Sequence, residues 1–207
     1  MGLFDFFKKK DNAKAGERDT ALTPIGYKSG WVAVKADSPK DVIKKLGFNI
    51  IKQTDWNTGL ESLKPGRVYV SDPVNGYVII IDEMMYLIFD ENSDDKGIKD
   101  IAQKFDFVMG FATHRVVEAH YWSKYINGKC VRKYSFVGES CEIFSDGELT
   151  EEEIDLGFNE LIQTEDDMDD EEKQFPDEEN VMDISKAWGI DPEMTGISNI
   201  NGYICRQ

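Results

Sequence analysis

The chain has 207 residues, 41% hydrophobic and 12% aromatic, with a formal charge of −16. That length and apolar content suffice for a packed domain and exclude a disordered chain. The negative charge excludes nucleic acid as the expected partner, because phosphates would be repelled.

The three cysteines, Cys130, Cys141 and Cys205, are odd in number and match no metal or redox spacing. They point to a reducing compartment, with a Cys130–Cys141 bridge as the one pairing that neighbouring strands would leave open. The expected location is cytoplasmic. No apolar run approaches the ~20 residues of a membrane span, and the apolar residues at Met1–Phe7 are too few for a secretory signal and precede their lysines.

The charge is unevenly placed. Residues 139–183 hold 20 acidic side chains and one basic one, Lys173, whereas the rest of the chain holds 20 acidic and 23 basic. All of the net negative charge therefore comes from one segment, which makes a basic protein surface the expected partner.

Residues 1–20 are expected to form a flexible tail. Leu3, Phe4, Phe6 and Phe7 make a small apolar knot ahead of Lys8, Lys9 and Lys10. A terminus docked loosely on the body is favoured over membrane contact, because one short apolar knot anchors poorly.

Residues 21–207 are expected to form a single α+β domain. A strand is predicted at 31–34. Ser38, Pro39 and Asp41 supply an N-cap, a first-turn proline and an N3 acid for a helix that Gly47 ends. A strand over 48–53 follows, then a turn and short helix over 55–63. Apolar runs at 67–71 and 77–82, joined through Asp72, Pro73, Asn75 and Gly76, predict a hairpin.

Helical spacing recurs over 96–105 through Ile98, Ile101, Ala102 and Phe105. Residues 107–111 open a second group of strands, and 115–126 fit strand or helix. Asn127-Gly128 before the alternating run 131–137 predicts another hairpin, with a short strand at 142–144 beyond it.

Thr150 and Glu153 form a capping box. Seven acids in the eight residues 165–172 predict a mobile loop, centred in 163–174, that cannot pack. A last helix spans 177–188, with Val181, Ile184 and Trp188 on one face and Gly189 and Pro192 beyond its end. Strand, helix, strand, then hairpins, then helices predict a largely antiparallel sheet with helices packed on one face or at its ends.

The candidate chemistry is sparse. The only histidines are His114 and His120, and on one strand they would share a face with Glu118. Two imidazoles and a carboxylate suit zinc and would make a metal-assisted hydrolase. Along an extended strand, however, the two rings would stand roughly 20 Å apart, too far to share one ion. Cys130 sits in a strand-like run with no turn to expose it. The Gly-x-Ser-x-Gly elbow, the P-loop and the dinucleotide fingerprint are all missing from the sequence. The acidic run lacks the central glycine of a calcium loop. The expectation is therefore no enzyme, no cofactor and no metal, with Trp31, Trp56, Trp122 and Trp188 serving as core.

Phe111-Ala112-Thr113-His114-Arg115-Val116, followed by Trp122, Gly128, Arg132, Tyr134, Gly138-Glu139 and the run Gly147 to Glu152, resembles a group of bacterial proteins associated with immunity partners of antagonistic toxins. Val181-Met182, Trp188 and Asp191-Pro192 fit the same pattern, as does Trp56-x-x-Gly59-Leu60, so the likeness spans about residues 31–192. The matching residues are turn glycines, aromatics and helix caps; they carry over no functional residue.

The expected function is a non-catalytic intracellular binding protein, an immunity protein neutralising a basic toxin or another cationic protein. The expected partner-binding residues are Glu165, Asp166, Asp167, Asp169, Asp170, Glu171 and Glu172. The alternatives are the hydrolase on His114, Glu118 and His120, and a structural or small-ligand-binding domain whose acids only confer solubility.

Overall fold

A computed structural model describes residues 21–26, 28–89 and 96–207. The tail expected at 1–20 lies outside the described residues. The elements run β1 (Lys28–Lys35), α1 (Pro39–Leu46), β2 (Asn49–Asp55), α2 (Trp56–Glu61), β3 (Arg67–Ser71), β4 (Tyr77–Asp82) and α3 (Lys96–Ala102). They continue β5 (Phe107–His114), β6 (Ala119–Ile126), β7 (Lys129–Val137), β8 (Glu142–Asp146), α4 (Glu151–Asp155), α5 (Glu178–Ala187) and β9 (Asn201–Arg206). Short 3-10 turns cover Phe158–Glu160 and Glu165–Asp169. The fold is α+β.

Local chemistry accounts for most of these boundaries. Ser38 Oγ accepts from the Asp41 amide at 3.3 Å, and Gly47 closes α1 in the left-handed region at φ 76°. Asp55 caps α2 through the Thr58 amide at 3.0 Å. Both Asn-Gly pairs adopt the two successive positive φ angles of a tight hairpin turn: 51° and 83° at Asn75-Gly76, 50° and 76° at Asn127-Gly128.

Among the described residues, nine strands join one antiparallel sheet in the order β2-β9-β3-β4-β1-β5-β6-β7-β8. The sequence pattern gave no sign of β9. It pairs with both β2 and β3, which are distant from it in sequence, and so ties the end of the chain into the first half of the sheet.

Alternate residues of the central strands feed two separate cores. Trp31, Ala33, Ile79, Ile81, Met109 and Phe111 face one side, where α5 adds Val181 and Ile184 and α2 adds Trp56. Val32, Val34, Val78, Ile80 and Val108 face the other, where α1 adds Val42 and Ile43 and α3 adds Ile98 and Ile101. Helices thus cover both faces, which corrects the expected packing on one face or at the ends. The continuous apolar runs 31–34 and 78–81 carry the reason: a strand covered on one side only would alternate with polar residues.

The tryptophans divide unequally. Trp31, Trp56, Trp122 and Trp188 all belong to the first core. Trp31 stacks on Phe111 with ring centroids 5.5 Å apart, and Trp122 stacks on Tyr134 at 4.2 Å. Trp56 meets Tyr69 edge-on at 5.6 Å, and a Cβ at Gly59 would collide with that tyrosine ring. The Trp56-x-x-Gly59 spacing is therefore a packing device.

The acidic run also departs from expectation. It folds as the 3-10 turn Glu165–Asp169 rather than as a loop without structure. Asp167 Oδ2 accepts from the Gln163 and Thr164 amides at 2.7 and 2.9 Å, and Met168 packs against the tryptophan-bearing core. One apolar residue among the acids is enough to pin the segment. Among the described residues, no helix is long and apolar enough to cross a membrane.

Candidate functional site

The acidic segment gathers on the tryptophan-bearing side of the sheet. α5 lies against β5 and β6, α4 lies against α5, and Leu161 bridges to Gln174 to link the turns between them. The exposed acids of α4 and α5, with those of the 3-10 turn, top this layer, whereas Glu142 and Asp146 on the edge strand β8 pair with Val137 and Lys133 and face the other side of the sheet. On the opposite side, α1 carries Lys40, Lys44 and Lys45 against one acid, Asp41, and α3 carries Lys96 and Lys99 against Asp100. The concentration of acids in α4, α5 and the run between them is thus an asymmetry across the sheet.

A buried ion pair anchors the acidic layer. Arg132 on β7 is 1% exposed and Glu153 on α4 is fully buried, with Arg132 Nε 2.8 Å from Glu153 Oε1. Glu153 Oε1 also accepts from Trp122 Nε1 at 2.8 Å, and Oε2 accepts from the Thr150 amide at 2.9 Å, completing the capping box of α4. Arg132 Nη1 donates to Ser145 Oγ at 2.8 Å and to the Asp146 and Gly147 carbonyls at 3.3 Å. Its Nη2 reaches Gln163 Oε1 at 3.3 Å.

One guanidinium therefore ties β7, β8, the turn after β8 and the segment leading into the acidic run. Trp122, Arg132, Tyr134 and Gly147 all lie at this junction. Sequence reading missed the pair because its halves are 21 positions apart on different elements.

The seven expected binding acids are not equivalent. Asp167 is held below the usual carboxylate range, chiefly by the hydrogen bond from the Gln163 amide. Asp170 Oδ1 accepts from the Glu172 amide at 2.9 Å. Asp167 thus serves the turn's own structure. Glu165, Asp166, Asp169, Glu171 and Glu172 are exposed, and none of their carboxylates has a partner among the described residues.

The histidines are brought near each other but not together. The chain reverses between β5 and β6, so His114 pairs with Ala119 and Thr113 pairs with His120. Cross-strand partners share a face and successive residues alternate, so the two imidazoles point to opposite sides of the sheet. Among the described residues, no group of three or more His, Cys, Asp and Glu side chains is placed to hold a metal ion. Cys130, Cys141 and Cys205 are all free thiols.

His120 has surroundings that sequence did not foretell. It is 3% exposed, and its Nδ1 lies 3.1 Å from Thr113 Oγ1. Burial pushes its pKa down to about 4, against an opposing pull from the Asp177 carboxylate. The ring lines a cavity of about 390 Å³ walled by Arg115, Glu118, Phe175, Asp177, Glu178 and Glu179. Asp177 is the N-cap of α5, bonded to the Asn180 amide at 3.0 Å, so a capping interaction sets one wall of the cavity.

Comparison with protein-family profiles, with curated proteins and with solved structures finds no match to this chain. The functional reading rests on the geometry.

Proposed function

We propose that this is a non-catalytic binding protein that receives a cationic protein on its acidic layer, and that it acts as an immunity protein when that partner is a basic toxin. The observation that carries this reading is the segregation of charge across the sheet. From α4 to α5 the acidic segment forms one layer, and lysines predominate on the helices of the opposite face. A one-sided field orients an approaching cationic partner and raises its association rate, which charge scattered over every side would not do.

The rigid Arg132–Glu153 junction supports the same reading. It holds the layer in one shape before any partner arrives, so little ordering cost falls on binding. The exposed carboxylates of Glu165, Asp166, Asp169, Glu171 and Glu172 supply the long-range attraction.

The test is to capture a partner from the source cell at two salt concentrations, purify it and measure association kinetics. Replacing Glu165, Glu171 and Glu172 by Gln, and Asp166 and Asp169 by Asn, should slow association about tenfold at low salt and flatten its salt dependence. An unchanged on-rate, or the absence of any basic partner, refutes the docking layer. If the captured protein is a toxin, the wild type should suppress its activity at lower concentration than the neutralised variant.

A further inference from the structure

The sheet has two free edges, and they are finished differently. β2 closes one end of the strand order and β8 the other, and among the described residues the backbone of Glu142–Asp146 pairs with no strand but β7. A free edge presents a row of unpaired N–H and C=O groups onto which another extended segment can pair. At β2 the register slips between Ile50 and Lys52, and such a bulge breaks the regular ladder. At β8 all five residues stay in unbroken register with β7, and the strand contains neither proline nor lysine. Phe144, at its centre, is half exposed.

The charges along this edge select its occupant. Glu142 and Asp146 share a face with Phe144, because alternate strand residues do so. On the other face, Ile143 and Ser145 border a groove of about 400 Å³ whose lining includes Glu165 and Asp166. A second copy laid antiparallel on β8 about Phe144 would set each Glu142 opposite an Asp146, a repulsive pairing. A cationic strand would find carboxylates at those same positions. We propose that β8 receives the cationic partner by strand addition: an extended segment of that partner, with lysine or arginine opposite Glu142 and Asp146, pairs with the β8 backbone as a further strand of the sheet.

Between its two cations the added strand carries an apolar side chain against Phe144. The residues on its other face enter the groove beside Ile143. Backbone hydrogen bonds supply the hold, and the alternating side chains supply the choice of partner. The same carboxylates that attract the cationic strand keep two copies of this chain from joining through β8. This inference rests on the docking reading, because it presupposes a cationic partner, and it names where that partner is gripped.

The probe is the peptide acetyl-Lys-Val-Leu-Val-Lys-amide, titrated at low salt into isotopically labelled full-length protein and followed by NMR. Acetyl-Lys-Lys-Val-Leu-Val-amide, equal in charge and composition, serves as the comparison. Saturable shifts over residues 142–146 and 163–166 are expected, with slowed exchange of the β8 amides that point away from β7. The alternating peptide should bind about threefold more tightly than the comparison, because only its spacing matches the strand. Glu142→Lys, at an exposed position, should weaken binding about tenfold, since an attractive cross-strand pair becomes a repulsive one. Phe144→Thr, which keeps the strand preference, should weaken it about threefold. Lys52→Glu on β2 should change it by less than about twofold, because exposed charges that far apart are screened.

Binding without slowed exchange at β8, equal affinity of the two peptides, or undiminished binding by Glu142→Lys overturns the strand addition. So does a wild-type dimer in sedimentation whose β8 amides are protected without peptide, since a second copy then holds this edge. The two readings fail separately. If the variant with five neutralised acids in the run 165–172 slows the protein partner while Glu142→Lys leaves both peptide and partner unaffected, the layer stands and the β8 seat falls. If the peptide protects β8 and Glu142→Lys releases it, but the five-acid variant leaves the partner's on-rate unchanged, the reverse holds.

Discussion

The two helical layers of this molecule cover the same sheet and differ in almost every other respect. The layer of α1 and α3 packs on aliphatic side chains, chiefly Val32, Val34, Val78, Ile80 and Val108, and its outer surface carries lysines. The layer of α2, α4 and α5 packs on all four tryptophans, encloses the Arg132–Glu153 pair and turns carboxylates outward over β5 to β8. One side is held by non-directional burial, the other by directional bonds that fix where each element lies. A surface that must present charges in a set arrangement gains from the second kind of support.

That contrast breaks most visibly at the ion pair. Glu153→Gln strips the buried Arg132 of its counter-charge and should cost about 3–5 kcal/mol in urea unfolding. The double change Arg132→Met with Glu153→Leu should cost less than Glu153→Gln alone, because no buried charge is then stranded. On the aliphatic side, Ile80→Ala should cost about 2–5 kcal/mol through the cavity it leaves. It should nevertheless leave partner association unchanged. If Ile80→Ala slows association as Glu153→Gln does, the division of labour between the layers is wrong.

The next effect is pH-dependent. His120 titrates at about 4 in the folded chain and near 6.5 once unfolded. Between those values the unfolded state holds the extra proton. The contribution of the neutral, buried ring is therefore complete above pH 6.5 and is lost as pH falls toward 4, on the order of 3 kcal/mol in all. Unfolding free energies at pH 7 and pH 4.5 should diverge less in His120→Gln than in wild type; equal divergence would remove His120 as the cause.

Smaller still is the division among the acids of the 165–172 run. Asp167→Ala removes the acceptor for two backbone amides and should cost about 1 kcal/mol. Asp166→Ala should fall within about 0.5 kcal/mol of wild type while slowing the partner's approach. The smallest effect belongs to the opposite face, where Lys44→Gln with Lys45→Gln should leave the association rate of a cationic partner unreduced.

Sequence alone determined what depends on neighbours in the chain. The Ser38 cap and Gly47 stop of α1, the two Asn-Gly hairpins, the Thr150–Glu153 capping box and the helix ending at Trp188 follow from a few adjacent side chains competing for the same backbone groups. Net charge and its concentration in residues 139–183 were equally plain. The helices on both faces were also within reach, had the unbroken apolar runs of β1 and β4 been given their full meaning.

Only the tertiary structure decided where β9 inserts, which face each histidine takes, that Glu153 meets Arg132, and that the acids of α4, α5 and the 3-10 turn collect on one side. These are contacts between residues far apart in the chain. They are selected by the joint packing of two cores and by the need to satisfy every buried polar group, and no local pattern encodes that choice.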